Sequence, residues 1–275
     1  MSVIDLAETV RLIRWPLGVS LLLGCLEDLA GSRNFKPDGL FSWKVFSTQY
    51  AEANAPIIRT VLDRLFGYRG VCVLLYCELA AIFVILVPYL PLSYYLVPVA
   101  VVLAIKLALA YRCGYGSDGS DQMEIMVLVG LLSTLCLLSS KAAQLGIWFI
   151  ALQSALAYLA SGISKLFSKS WMTGEAAFKI FNTYTYGIAP VASFFKHVTI
   201  ASAPACWSII AYECSFPLSL FAPLSIVWTI LILGVLFHAF NALVMGLNKF
   251  FWAFVSTYPA IVYCNQEMVR WLVRH

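Results

Sequence analysis

The sequence predicts an all-α membrane protein, a polytopic bundle of about eight transmembrane helices with one or two interfacial amphipathic helices. Two observations carry this prediction. First, 61% of the 275 residues are hydrophobic and only 12% are charged, about half the charged share that a soluble domain uses to solvate its surface. Second, the apolar residues gather in runs of about 20, the length of a helix that crosses a hydrocarbon core. We expect residues 1–275 to form one transmembrane domain.

Apolar runs define the predicted spans. They cover residues 12–29, 70–90, 91–111, 123–138, 144–167, 203–222, 224–245 and 250–264. No strand-like alternation accompanies them, so helices are the expected way to satisfy the backbone in lipid. Residues 55–66 instead place apolar side chains on one helical face and Arg59, Asp63 and Arg64 on the other. This pattern predicts a helix lying in the membrane interface.

The terminal charges give an expectation for topology. An even number of spans puts both ends of the chain on one side of the membrane, and Arg11, Arg14, Arg270 and Arg274 favour the cytoplasm for both. The two longest connections, residues 31–69 and 168–201, also carry Lys and Arg, so the charge signal is mixed. Membrane lipid is the partner that the composition itself predicts.

Several function classes are disfavoured by the composition. The net charge of +4 comes without a basic stripe, which argues against a nucleic-acid partner. The three histidines belong to no cluster at ligand spacing, so no metal site is predicted. Neither a Gly-rich phosphate loop nor a nucleophile elbow is present in the sequence.

Ionisable side chains inside apolar runs are the candidate functional residues, because they are costly in lipid and usually face a cavity or a partner. Glu78 and Glu213 lie in the middle of predicted spans, and either an inter-helix hydrogen bond or a substrate cavity would explain them. Lys106 lies near the end of its span, where we expect its ammonium to snorkel to the interface. His238 and Asn241 share one helical face at i, i+3 spacing.

Three segments together resemble the HTTM family, the membrane domain shared with vitamin K-dependent γ-glutamyl carboxylase. Residues 116–122 (GSDGSDQ) resemble the polar motif of the bacterial SdpB-like branch, whose members act in maturing secreted peptide toxins. Residues 158–166 (YLASGISKL), followed by Trp171 and Gly174, resemble the carboxylase pattern that contains its base. His238 and Asn241, followed by Gly246 and Phe250, resemble the family's His-x-x-Asn helix.

The resemblance implies roles for particular residues. Lys165 and His238 are the implied catalytic residues, and Lys165 corresponds to the base that deprotonates reduced vitamin K. A poorly solvated site would disfavour the charged ammonium of Lys165 and leave a neutral amine for this task. The implied cofactor is a reduced quinone such as vitamin K. The implied substrate-binding residues are Asp118, Asp121, Gln122, Tyr158, Trp171, Glu213 and Asn241.

Two departures from the carboxylase pattern argue against classical γ-carboxylation. Ser164 replaces the neighbouring family lysine, and residues 120–122 (SDQ) replace an Asn-His pair. We therefore expect a protein of the bacterial inner membrane that modifies or matures an exported peptide, with a small partner protein encoded nearby. If it is an enzyme, it is carboxylase-like or quinone-dependent. The alternative is a non-enzymatic assembly or immunity-like factor that binds a peptide.

Overall fold

The computed structural model describes residues 4–50, 56–114, 118–138, 141–197 and 199–274. Every regular element in these ranges is a helix, and none is a strand. The chain divides into two compact units. One, called here the N-terminal unit, is Arg14–Gly146. The other, the C-terminal unit, combines the residues from Ile147 onward with those up to Ile13.

The N-terminal unit contains most of helix α1 and the helices that follow it as far as the start of α7. The α-helices are α1 (Leu6–Ala30), α2 (Trp43–Phe46), α3 (Pro56–Phe66), α4 (Tyr68–Leu86), α5 (Leu96–Cys113) and α6 (Gly119–Cys136). Short 3₁₀ helices lie at Ser32–Phe35, Ser47–Gln49, Leu92–Tyr95 and Lys141–Ala143. Helix α3 is the predicted amphipathic helix, and Ile57 and Val61 on its apolar face are exposed.

The C-terminal unit is built from α7 and the helices after it. They are α7 (Gln144–Leu166), α8 (Lys169–Met172), α9 (Glu175–Phe181), α10 (Ala189–His197), α11 (Thr199–Ser215), α12 (Leu224–Met245), α13 (Asn248–Val255) and α14 (Tyr258–Arg274). A 3₁₀ helix, Phe216–Leu220, extends α11. Pro217 lies in this extension, and its missing N–H is one reason why the α-helix stops at Ser215.

Five helical segments within the described residues are long and apolar enough to cross a membrane. They are Leu6–Ala30, Tyr68–Leu86, Leu92–Cys113, Lys141–Leu166 and Leu224–Met245. The all-helical class and the multi-pass character predicted from the sequence are therefore confirmed. The predicted count of about eight spans is not confirmed.

The three remaining predicted spans differ from the five for physical reasons. Helix α6 begins with polar residues, including Asp121 and Glu124, and α11 is only 17 residues long. The predicted span at residues 250–264 is divided by a turn at Ser256 and Thr257. Pro259 lies in the first turn of α14, where a proline is tolerated, and could not continue α13 without losing a backbone hydrogen bond.

One predicted flanking charge is part of the protein interior. Arg14 lies within α1, is only 5% exposed, and donates to the backbone carbonyls of Ile85 and Val87. Its guanidinium also lies over the ring of Tyr95, 4.5 Å from the ring centroid. Arg14 therefore stabilises packing between helices, and it adds less to the positive charge at the membrane surface than its place in the sequence suggests.

Candidate functional site

An ion pair joins α7 to α11 in the C-terminal unit. Lys165 Nζ lies 2.8 Å from Oε1 and 2.6 Å from Oε2 of Glu213, and it also donates to Ser161 Oγ. Ser161 in turn donates to Glu213 Oε1 over 3.2 Å. Ser161 and Lys165 lie one helical turn apart, so both face the same neighbour. The Lys165 side chain is 16% exposed and that of Glu213 is 5% exposed.

Gly162 allows the two helices to approach closely at this point. A Cβ atom at Gly162 would lie 2.7 Å from Cys214 Sγ and 2.9 Å from Cys214 N, closer than real carbon contacts allow. Because glycine lacks this atom, α11 packs against the backbone of α7 beside Glu213. The glycine in the motif of residues 158–166 thus brings the carboxylate within reach of Lys165.

Trp171 completes the surroundings of the lysine. The Lys165 ammonium lies 5.0 Å from the centroid of the Trp171 ring, within the range of a cation–π interaction. Two residues after α8, Gly174 adopts a left-handed φ of 84° and begins α9. Its missing side chain leaves room for the backbone of Ser202 and Ala203 on α11. The two motif glycines therefore allow close packing on α11, Gly162 beside Glu213 and Gly174 near the start of that helix.

Lys165 also lies in the wall of a cavity of about 440 Å³ within the same unit. This volume is in the range of small-molecule sites. The wall is mainly apolar and contains four phenylalanines, and Lys165, Ser208 and Asn241 provide polar groups. The lining residues are Lys165, Trp171, Ala177, Ile180, Phe181, Phe195, Ala205, Cys206, Ser208, Ile209, Phe237, Phe240, Asn241 and Met245.

His238 belongs to a separate polar network inside the C-terminal unit. Its Nε2 lies 2.6 Å from the hydroxyl of Tyr158, which lies 2.9 Å from the hydroxyl of Tyr258. His238 is only 2% exposed, and its Nδ1 has no hydrogen-bond partner in the part of the chain that the structure describes. His238 is not among the residues lining the cavity. His238 and Asn241 thus share a helical face in sequence but contact different surroundings.

Asp118, Asp121 and Gln122 belong to the N-terminal unit, at the start of α6. Asp118 accepts from the backbone N–H groups of Ser120 and Asp121, and the Asp121 side chain accepts from the Asp118 N–H. This capping box satisfies the first N–H groups of the helix. Gly116 and Ser117 of the same motif lie outside the described residues.

A second charged cluster, called here the acid–lysine triad, lies in the N-terminal unit. Lys106 Nζ is 3.5 Å from Glu78 Oε1 and 3.2 Å from Glu124 Oε2, and Ser20 Oγ donates to Glu124 Oε1 over 2.7 Å. Lys106 is only 7% exposed, so the snorkelling interpretation of this lysine is wrong. Burial between two carboxylates replaces the interface as its source of charge stabilisation.

The structure brings together part of the predicted site. Lys165, Glu213 and Trp171 are in contact, Asn241 lines the same cavity, and Tyr158 binds His238. Sequence reasoning missed Glu124, whose place among polar residues at the start of α6 hid its burial. It also missed the cavity phenylalanines, since an aromatic residue in a span is ordinarily packing. Comparison with protein-family models, curated proteins and solved structures gave no match.

Proposed function

We propose that this chain is an integral membrane protein that acts in the modification or maturation of an exported peptide, such as a peptide toxin. A small partner protein would bring the peptide to it. The observation that carries the proposal is the Lys165–Glu213 ion pair in the wall of an apolar cavity of about 440 Å³. Such a cavity, with few polar groups, is the common form of a small-molecule site.

The chemistry of the cavity wall fits a cofactor of the reduced-quinone class. Phe181, Phe195 and Phe240 would hold a ring system by apolar contact, and Lys165 is the ionisable group beside it. When bound, a reduced quinone supplies reducing electrons and an acidic hydroxyl. The assignment of this cofactor comes from the resemblance of residues 158–166 to the carboxylase motif.

Lys165 and Glu213 can together hold or move one proton. The amine nitrogen and a carboxylate oxygen are joined by a direct hydrogen bond of 2.6 Å, so the proton can reside on either atom. For the proposed role, transfer of this proton to Glu213 would free the Lys165 amine to act as a general base. The hydrogen bond from Lys165 Nζ to Ser161 Oγ fixes the direction in which the Lys165 amine points.

The same ion pair supports a second candidate function, a non-enzymatic assembly or immunity-like factor that binds a peptide. Both oxygens of Glu213 accept hydrogen bonds from Lys165. These charge-assisted bonds stabilise the ammonium. An ammonium held in place beside an apolar cavity can donate a hydrogen bond to an acidic or carboxyl-terminal group of a bound peptide.

Substitution of Lys165 separates the two candidates. The chain would be expressed with its neighbouring genes, and the secreted peptides would be analysed by mass spectrometry for the wild type, Lys165→Arg and Lys165→Ala. Arginine keeps the charge but stays protonated at neutral pH, so it cannot act as a base. Lys179→Arg and Lys179→Ala are matched controls, because Lys179 is an exposed lysine of the same unit paired with Glu175.

Loss of the mature peptide with both Lys165 variants, at normal membrane levels, would support the base. Activity retained by Lys165→Arg and lost by Lys165→Ala would support the binding factor. Wild-type maturation by both variants would exclude Lys165 from the function.

We further propose that the protein resides in the bacterial inner membrane with both termini in the cytoplasm. Arg11, Arg270 and Arg274 support this orientation by the positive-inside rule. Reporter fusions at the two ends of the chain test it, and reporters on opposite sides of the membrane would contradict it.

A further inference from the structure

The cavity beside Lys165 is open to the surroundings on one side. Among its lining residues, Ser208 on α11 and Phe240 on α12 are the exposed ones, and Phe240 is 46% exposed. Phe181 and Cys206, at other points of the wall, are buried. The mouth of the cavity therefore lies beside Ser208 and Phe240.

The surface around this mouth is apolar. Exposed apolar side chains lie on one face of α12, spaced by three or four residues: Ile232, Leu236, Phe240 and Leu243. Helix α12 is one of the five segments that can cross a membrane. On the other side of the mouth, Trp207 of α11 is also exposed. An exposed apolar face on a membrane-crossing helix contacts hydrocarbon, so the cavity opens toward lipid.

Asn241 provides a polar group in the cavity wall, next to the mouth residue Phe240. Its side chain makes no hydrogen bond to any residue that the structure describes, whereas Lys165 and Ser208 both donate to other groups of the protein. An amide without a partner is costly in an apolar environment. It can donate to an oxygen or accept from a hydroxyl, so a ligand that carries a carbonyl or hydroxyl oxygen would satisfy it.

We propose that the cavity binds an uncharged, lipid-dissolved molecule with an apolar body and a carbonyl or hydroxyl oxygen. The molecule enters from the bilayer between Ser208 and Phe240, and its oxygen is held by Asn241. It is uncharged because a charged group would have to leave water to cross the hydrocarbon. This inference deepens the proposed function, on which it rests for taking the cavity as the ligand site.

Photolabelling of the full-length chain in phosphatidylcholine vesicles tests the proposal. The probe is hexadecanol with a diazirine in its chain, which on illumination forms a covalent bond to a neighbouring group. Mass spectrometry of the digested chain locates the label. Excess unlabelled hexadecanol separates a site that saturates from contact with bulk lipid, and hexadecane with the same diazirine tests the role of the hydroxyl.

The wild type is expected to show two kinds of labelling. Phe181, in the buried wall of the cavity, takes up label in a saturable way, and hexadecanol labels it more strongly than hexadecane does. Leu236 and Leu243, on the exposed face of α12, are labelled without saturation.

Removal of the amide tests the role of Asn241. Asn241→Leu should reduce the saturable labelling by hexadecanol about twofold to tenfold, the effect of losing one hydrogen bond, and should make the two probes equal. Asn248→Leu is the matched control, because Asn248 is exposed and lies outside the cavity wall. This control should leave the labelling unchanged.

A bulky side chain at the mouth tests the route of entry. Ser208→Trp should slow the labelling of Phe181 when illumination follows addition of the probe by increasing delays. Leu243→Trp adds the same ring to the exposed face of α12 outside the wall, so it should leave this rate unchanged.

Absence of saturable labelling at Phe181 in the wild type would overturn the proposal, as would unchanged labelling in Asn241→Leu. Equal rates in the wild type and Ser208→Trp would overturn entry at the mouth. If Asn241→Leu does not fold, the comparison of hexadecanol with hexadecane on the wild type decides the role of the oxygen.

The labelling needs no peptide, so it can be separated from the test of the proposed function. An unlabelled cavity in a chain that matures its peptide normally would overturn this inference alone. A labelled cavity, with normal maturation by both Lys165 variants, would overturn the proposed function alone.

Discussion

Lys165 in the C-terminal unit and Lys106 in the N-terminal unit are both held by glutamates of neighbouring helices, but in different ways. Lys165 meets one glutamate, with both carboxylate oxygens within 2.8 Å of its nitrogen, and lies in the wall of a cavity. Lys106 meets two glutamates at 3.5 and 3.2 Å, and its side chain is half as exposed, at 8% against 16%.

The difference shows how the same residue types serve different chemistry. A one-to-one pair is neutral and can face a ligand without further compensation. In the triad, Lys106 lies between carboxylates of two neighbouring helices, so its ammonium is stabilised from both sides. Accessibility therefore distinguishes a lysine that can meet a ligand from one that joins three helices.

The largest effect is expected from removing the triad's only ammonium. Lys106→Met should destabilise the protein by about 3–5 kcal/mol, the range for breaking a buried ion pair by deleting one partner. Lys165→Met should cost less, because Lys165 itself lines a cavity and its side chain is more exposed than that of Lys106. Thermal unfolding in one detergent measures both.

Lys179→Met controls for the loss of a surface charge, and it should leave the unfolding temperature unchanged because its pair with Glu175 is exposed. Equal losses for Lys106→Met and Lys165→Met would break the distinction between the two lysines.

An intermediate effect on stability is expected from breaking the hydrogen-bond network of His238, Tyr158 and Tyr258. Tyr158→Phe removes the hydroxyl that joins His238 Nε2 to Tyr258, and it should cost about 1–3 kcal/mol because buried polar groups lose a partner. The measurement is again the unfolding temperature. Tyr184→Phe is the matched control, since Tyr184 is fully exposed. An unchanged stability in Tyr158→Phe would mean that water or another group replaces the hydroxyl.

The smallest effect is expected at the ring beside Lys165. Trp171→Leu keeps an apolar side chain but removes the cation–π interaction, which is worth about 0.5–1 kcal/mol at a partly exposed position. A double-mutant cycle with Lys165→Met separates the energy of the cation–π interaction from the loss of packing at Trp171. Additive effects of the two substitutions would show that the ring and the ammonium do not interact.

The sequence by itself determined the helical class and the multi-pass character. Apolar runs of about 20 residues have one stable solution in lipid, in which the backbone pairs within each segment. It also located Lys165, Trp171 and Gly174, because they lie within one short motif. Residues 250–264 were predicted as one span, since their apolar composition outweighed the signal of Pro259, which follows the turn between α13 and α14.

Tertiary structure decided which charged groups meet. Glu213 is 48 residues from Lys165, and only the close crossing of α7 and α11 at Gly162 brings them together. Glu124 and Ser20 are 104 residues apart, and no local pattern linked either to Lys106. The periodicity of a helix tells which residues share its face, but the neighbour that this face contacts depends on packing between helices. The partners of a buried charge are set by that packing, so the cavity lysine and the triad could be distinguished only in three dimensions.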